Sequence, residues 1–359
     1  MDLPGILKQA VLMGASDIHL SQGCSPLARV DGELMEIPNF PILTPEVCKS
    51  LVFSLLYEDQ RAKFEQEQEL DCTLSVPGLS RFRTNVLSQQ GNVEAVLRVI
   101  PSKIPNPETL GLGPATMELA DLKRGLVLVT GPTGSGKSTT LACLVDRINQ
   151  RAAKHIVTIE DPIEYTYLRK RSLIRQREVG GDTKSFREAL RRSLRQDPDV
   201  ILIGEMRDLD TISLALTAAE TGHLCLATLH TTDSAQTVDR IIDVFPAEQQ
   251  QQVRVQLGSA LRGVISQVLL PRKRSTGRIA ARELMIVTPA IGNVIREGKT
   301  HLIPNMIATG GKNGMYSLDL SLKELMRRGL VEASDAVTRS SNPAQMAQEA
   351  QRLGMEAFA

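Results

Sequence analysis

Gly131-Pro132-Thr133-Gly134-Ser135-Gly136-Lys137-Ser138 is the stretch on which the reading of this chain turns. It satisfies G-x-x-x-x-G-K-[ST] in full, and it lies between an apolar run, Leu126 to Val129, and a helical pattern from Ser138 to Ile148. Strand, glycine-rich turn and helix in that order form a cradle for phosphate. The glycines let backbone N–H groups turn inward, and the start of the helix adds the positive end of its dipole. In such a loop Lys137 reaches the β- and γ-phosphates of ATP, while the Ser138 hydroxyl reaches Mg²⁺, a hard cation that keeps several of its waters. Together with Thr139, the eight residues form the expected nucleotide-binding set.

Outward from the loop, further apolar runs (Ile156 to Ile159, Val200 to Ile203, Leu224 to Ala227) alternate with helical stretches at Lys184 to Leu194 and Asp210 to Glu220. Continuous apolar runs of this length fit parallel strands covered on both faces, so the fold class is α/β. In such sheets ligands collect at the carboxyl ends of the strands, and the loops after Val129, Ile159, Ile203 and Ala227 are expected to share one crevice. Val200 to Ile203 leads into Gly204-Glu205, a strand ending in a carboxylate that holds the metal through water. The loop Glu160-Asp161-Pro162-Ile163-Glu164 offers three carboxylates, one of which is the expected base for the attacking water. His230, with His223 seven residues earlier, is a candidate sensor of the γ-phosphate.

Toward the amino terminus, residues 1–100 form a separate module of short β-like and helical runs, including a helix around Leu7 to Met13 that ends at Gly14. Ser80 to Ile100 reads as a hairpin turning at Gln89-Gln90-Gly91-Asn92, and residues 101–115, with Pro101 and Pro105, read as a linker. Residues 116–340 make the nucleotide domain; after Pro246 a mainly helical lobe is expected, with helices at Ile291 to Glu297 and Ser317 to Arg328, the latter stopped by Gly329. The Gln-rich segment 341–359 reads as a poorly ordered tail.

Composition narrows the function class. The chain has 359 residues, enough for two domains, and 42% of them are hydrophobic, which excludes a disordered composition. Lys and Arg number 42 against 41 Asp and Glu, so no global field draws in a polyanion and no nucleic-acid partner is expected, the basic run Arg187 to Arg195 notwithstanding. Five scattered cysteines without a C-x-x-C pair suggest neither zinc nor disulfides. No apolar stretch is long enough to span a bilayer, and Met1-Asp2-Leu3-Pro4 lacks a signal pattern, so a cytoplasmic protein is expected.

Four blocks in this order, GPTGSGKSTT (131–140), IEDPIEY (159–165), IGEMRD (203–208) and TGHLCLATLHTTDSA (221–235), closely resemble the secretion-ATPase superfamily as its Walker A, Asp box, Walker B and His box. More narrowly, ASDIHL (15–20), VDGEL (30–34) and GRIAARELMI, near GRVAAHEIMI, resemble the PilT family of type IV pilus retraction ATPases; the resemblance runs from residue 3 to about 330. It implies an N-terminal PAS-like α+β domain, a RecA-like P-loop ATPase core and a homohexamer with nucleotide sites between the two domains. It also implies a place at the inner face of the cytoplasmic membrane, with an inner-membrane platform protein and a second retraction ATPase as partners. Carried over by position, Glu164 resembles the catalytic Glu, Glu205 the Walker B Glu, and His223 and His230 the His-box pair; Arg81, Arg83 and Arg98 are the candidates for arginines that face the nucleotide. The implied activity is ATP hydrolysis coupled to pilus retraction and twitching motility. The alternatives are an assembly or secretion ATPase, whose four-cysteine zinc subdomain has no counterpart here, and an accessory ATP-binding ring protein. The retraction-associated motif AIRNLIRE appears as Ala290 to Glu297 with Gly292 in place of Arg, which removes a charge and costs a helix interior on the order of 1 kcal/mol relative to Ala.

Overall fold

Alternation decides the first sheet: Phe82, Thr84 and Val86 point to a core while Arg81, Arg83 and Asn85 stay in contact with water, so Ser80–Gln89 is a strand with one covered face. In the computed structural model, which describes residues 2–30, 32–101, 103–273 and 277–355, the chain forms two compact units. The first comprises Met1–Lys103 with Pro162–Thr166, the second Ile104–Asp161 with Tyr167–Ala359.

In the first unit, β1 (Asp17–Leu20), β2 (Leu27–Val30), β3 (Glu33–Glu36), β4 (Glu69–Val76), β5 (Ser80–Gln89) and β6 (Asn92–Ile100) form an antiparallel sheet of order β3-β2-β1-β6-β5-β4. The expected hairpin is β5–β6. Gln90 and Gly91 both take positive φ, the backbone that a two-residue turn between twisted strands demands. Helix α1 (Leu3–Leu12) ends just before Gly14 as read, and α2 (Pro45–Phe53), capped by Thr44, and α3 (Glu58–Glu67) complete the unit. Ile6, Leu7, Ile18, Phe82 and Leu97 lie at its core.

The second unit begins with packed chain where a linker was expected: Leu112 is buried, and α4 (Pro114–Glu118) follows at once. Its sheet contains β7 (Gly125–Thr130), β8 (His155–Glu160), β9 (Leu173–Glu178), β10 (Val200–Ile203), β11 (Leu224–Leu229), β12 (Leu261–Pro271) and β13 (Arg278–Ile286), in the order β13-β12-β7-β11-β10-β8-β9. All neighbours are parallel except β12–β13. Every residue of β7, β10 and β11 is buried, the physical reason their sequences read as unbroken apolar runs. Between and after the strands come α5 (Lys137–Arg151), α6 (Phe186–Ser193), α7 (Leu209–Glu220), α8 (Ser234–Asp243), α9 (Ala247–Ala260), α10 (Pro289–Arg296), α11 (Ile303–Thr309), α12 (Leu318–Arg327), α13 (Ala333–Arg339) and α14 (Pro343–Arg352). Asp208 and Asp233 cap α7 and α8 through their carboxylates.

Two further segments add to the sequence reading. The stretch after Pro246, expected as a mainly helical lobe, carries α9 to α14 and also gives the sheet two strands, β12 and β13, beyond β7. The segment read as a poorly ordered tail carries α14 as far as Arg352, with Asn342 as its cap and Met346, Ala347 and Ala350 buried against α12 and α13; residues 356–359 lie outside the described residues.

Gly292 finds its reason here. It lies on α10 against Gly258 of α9, and a β-carbon on either glycine would come within 2.7 Å of the other's backbone oxygen. The two helices meet backbone to backbone, a contact that no side chain at either position permits.

Candidate functional site

Parallel order places the loops after β7, β11, β10 and β8 side by side at one end of the sheet, as the sequence reading anticipated. The glycine-rich loop leaves β7 with Gly131, Gly134 and Gly136 all at positive φ and runs straight into α5. Pro132, Thr133 and Gly134 are exposed, Ser135 is buried, and Gly136, Lys137, Ser138 and Thr139 are half-buried. The Lys137 Nζ donates to the carbonyls of Gly131 (2.8 Å) and Pro132 (3.1 Å), folding back over its own loop. Burial pushes the Lys137 ammonium below its ordinary range, opposed by the carboxylate of Glu205. A half-desolvated cation held by neutral carbonyls is ready for an anionic partner.

Glu205, just beyond β10, accepts from Arg207 Nη2 at 2.7 Å and lies 3.1 Å from His230 Nε2. The Arg207 guanidinium holds the Glu205 carboxyl below the usual carboxylate range, with burial opposing and His230 adding to the effect. Gly204, which must lie close to the backbone of Ile159 and Glu160, lets β10 pass the end of β8. Glu160 itself is buried and accepts from Thr158 Oγ1 at 2.7 Å and Gln176 Nε2 at 3.4 Å, so it is a fixed structural carboxylate. Asp161 lies near enough to raise the Arg207 pKa.

The second unit therefore brings Lys137, Ser138, Glu205 and His230 to one end of its sheet, and it does not bring His223 there. His223 precedes β11 and His230 follows it, so the six-residue strand separates them by about 20 Å. The His223 Nδ1 is 3.0 Å from the Ala218 carbonyl at the end of α7, where the ring closes a turn. Glu164 belongs to the short segment Pro162–Thr166 of the first unit. The three candidate arginines lie on the first unit's sheet: Arg83 is exposed and registers opposite Arg98, and Arg81 is half-buried. Arg98 Nε donates to the buried Asp17 at 2.7 Å, so its charge is matched inside its own unit.

Ser138 and Glu205 supply a hydroxyl and a carboxylate, the oxygen donors suited to a Mg²⁺ that shares its remaining shell with water and phosphate. Reading the sequence alone missed Thr140, Gln267 and Arg282, which lie behind the loop. Thr140 Oγ1 donates to Gln267 Oε1 at 2.8 Å, and Gln267 Nε2 donates to the Ser135 carbonyl at 2.6 Å. The available signal was the polar pair Ser266-Gln267 inside the apolar run Val264 to Leu270.

A glycine-rich phosphate loop on an interior strand of a mainly parallel sheet, with a carboxylate and a histidine at the nearby strand ends, defines a P-loop nucleotide-binding protein. The chain belongs to the type II/IV secretion system protein family, whose pattern matches residues 2–352. It is 50% identical over 343 residues to the type IV pilus retraction ATPase PilT of Pseudomonas aeruginosa, covering 96% of this chain and 99% of that protein. It is 47% identical over 341 residues to a twitching motility protein of Neisseria gonorrhoeae, covering 93% and 91%. A crystal structure of the pilus retraction motor PilT with bound ADP superposes with a TM-score of 0.89 at 46% identity, over 97% of this chain and 99% of that one.

Proposed function

We propose that this protein is the ATP-hydrolysing subunit of a hexameric motor that retracts type IV pili and so powers twitching motility. The observation that carries the reading is the complete phosphate loop, with Lys137 beside Glu205, in a chain similar over almost its whole length to PilT. The first unit is then the PAS-like domain and the second the RecA-like core. Lys137 and the loop amides bind the β- and γ-phosphates of ATP, and Ser138 and Glu205 hold Mg²⁺, which neutralises phosphate charge. Glu164 orients and deprotonates the attacking water, and His230, hydrogen-bonded to Glu205, follows the state of the γ-phosphate. An arginine of the first unit, Arg81, Arg83 or Arg98, offsets charge on the transferring phosphoryl group; the Asp17 pair puts Arg98 behind Arg83 for that task. Among the described residues no helix is long and apolar enough to cross a membrane; a peripheral place at the inner face of the cytoplasmic membrane, on a platform protein and beside a second retraction ATPase, fits the proposed work.

The test is complementation in cells that make pili but have lost their own retraction ATPase. Expression of this chain is expected to restore twitching, and Lys137→Ala is expected not to. Renewed pilus assembly in an assembly-deficient strain, with no effect on retraction, would contradict the proposal.

A further inference from the structure

We propose that Gln267 is a positioning residue for the phosphate-binding loop, clamping it from behind, and that Arg282 anchors the clamp. This deepens the nucleotide-site reading and rests on it.

Ser266 is the last residue of β12 in register with β7, opposite Thr130, so Gln267 stands where β7 gives way to the loop. Its side chain is 1% exposed and each polar atom is engaged. Nε2 donates to the Ser135 carbonyl, whereas Oε1 accepts from Thr140 Oγ1 and, at 3.4 Å, from Arg282 Nε. With donors on one side and an acceptor on the other, the carboxamide has a single satisfied orientation. The same residue closes the space behind two loop glycines. A β-carbon at position 131 would collide with the Gln267 backbone oxygen, and one at position 136 would lie 3.2 Å from its Nε2. One residue thus grips the loop at Ser135 and backs it at Gly136 with its side chain, backs it at Gly131 with its carbonyl, and ties it to the first turn of α5 at Thr140.

Arg282 registers opposite Gln267 across β12–β13 and is itself buried. Its Nη1 donates to the Leu110 carbonyl at 2.8 Å and lies 3.4 Å from that of Gly111. Among the described residues it forms no ion pair with a carboxylate; burial pushes its pKa down, and its charge rests on carbonyl and carboxamide oxygens. A buried cation in that setting is kept only where hydrogen bonds offset its desolvation, and one of those bonds here holds Gln267. Arg282 also lines a pocket of about 160 Å³ with Gly136, Thr139 and Thr140, so the clamp reaches the loop end of α5 on its accessible side. Sequence resemblance did not supply this residue: the related pattern GRVAAHEIMI has His at the corresponding position.

The test uses the full chain, ADP titration calorimetry and steady-state ATP hydrolysis. Gln267→Met, close in shape but without the carboxamide, is expected to weaken ADP binding about tenfold and raise KM by a similar factor, while Arg282→Met gives a smaller loss. The double substitution is expected to be no worse than Gln267→Met alone, because Arg282 acts through Gln267. Thr140→Ser, which keeps the hydroxyl, is expected to bind ADP as the unaltered chain does, whereas Thr140→Val loses several-fold. This pair decides the matter if Gln267→Met does not fold. ADP affinity within twofold of the unaltered chain for Gln267→Met, equal affinities for the two Thr140 variants, or additive losses from Gln267 and Arg282 would overturn the clamp. If the unaltered chain itself failed to bind ADP, the nucleotide-site reading would fall first.

Discussion

Lys137→Ala is expected to weaken ADP and ATP binding by about a hundredfold or more, because the ammonium's charge-assisted hydrogen bonds to phosphate contribute roughly 3 kcal/mol together. The melting temperature of the free protein is expected to change little. Among the described residues the Nζ donates only to the carbonyls of Gly131 and Pro132, and its partial burial disfavours the charge it carries. Removing it sacrifices two loop hydrogen bonds and relieves that desolvation, two small effects of opposite sign. Calorimetric titration with ADP and a thermal melt of the same samples check both halves. ADP affinity within threefold of the unaltered chain would show that the lysine does not reach phosphate.

Gly292→Arg, which restores the arginine of the AIRNLIRE pattern, is expected to destabilise the protein by about 3 kcal/mol, toward the upper end of what overpacking a filled core costs. For a unit of this size that lowers the melting temperature by roughly 6–12 °C. A β-carbon there meets the Gly258 backbone oxygen at 2.7 Å, and backbone cannot give way as a flexible side chain can. Gly292→Ala meets the same oxygen with the smallest side chain and regains about 1 kcal/mol of helix propensity, so stability is expected to fall in the order Gly, Ala, Arg. Restored twitching in Gly292→Arg at an unchanged melting temperature would show that the α9–α10 contact is looser than the structure has it. The glycine is a packing residue of this chain, and its partner at Gly258 could not be seen from the motif alone.

How much the sequence revealed depended on whether local pattern and tertiary environment agreed. At β7, β8, β10 and β11 they did: strands buried on both faces have few options but Val, Ile, Leu and small residues, and the glycine-rich loop announces its own backbone. At β12 they did not. Leu261 follows Ala260 of α9 with no turn residue between them, and Arg262, Gly263, Ser266 and Gln267 break the apolar run, so neither a stop nor a period marks the strand. Edge strand β9 hides in a similar way: among the described residues β8 is its one strand neighbour, and its Arg175 and Arg177 keep contact with water. Helix α14 buries only Met346, Ala347 and Ala350, a stripe too narrow to outweigh its Gln-rich composition. Within the site, the spacing of His223 and His230 could not reveal that a strand runs between them and holds them at opposite ends of the sheet. Gln267 and Arg282 became legible only once β12 was placed beside β7.

The most direct test of the account is steady-state ATP hydrolysis by the unaltered chain and by Glu164→Gln, with Mg²⁺ present and the oligomeric state recorded in the same samples. Hexamers that turn over ATP are expected, with activity per subunit that rises as they assemble and a loss of turnover of about a thousandfold or more in Glu164→Gln with ADP binding intact, as when a general base is removed. Equal turnover in Glu164→Gln, or concentration-independent turnover in a proven monomer, would contradict the account.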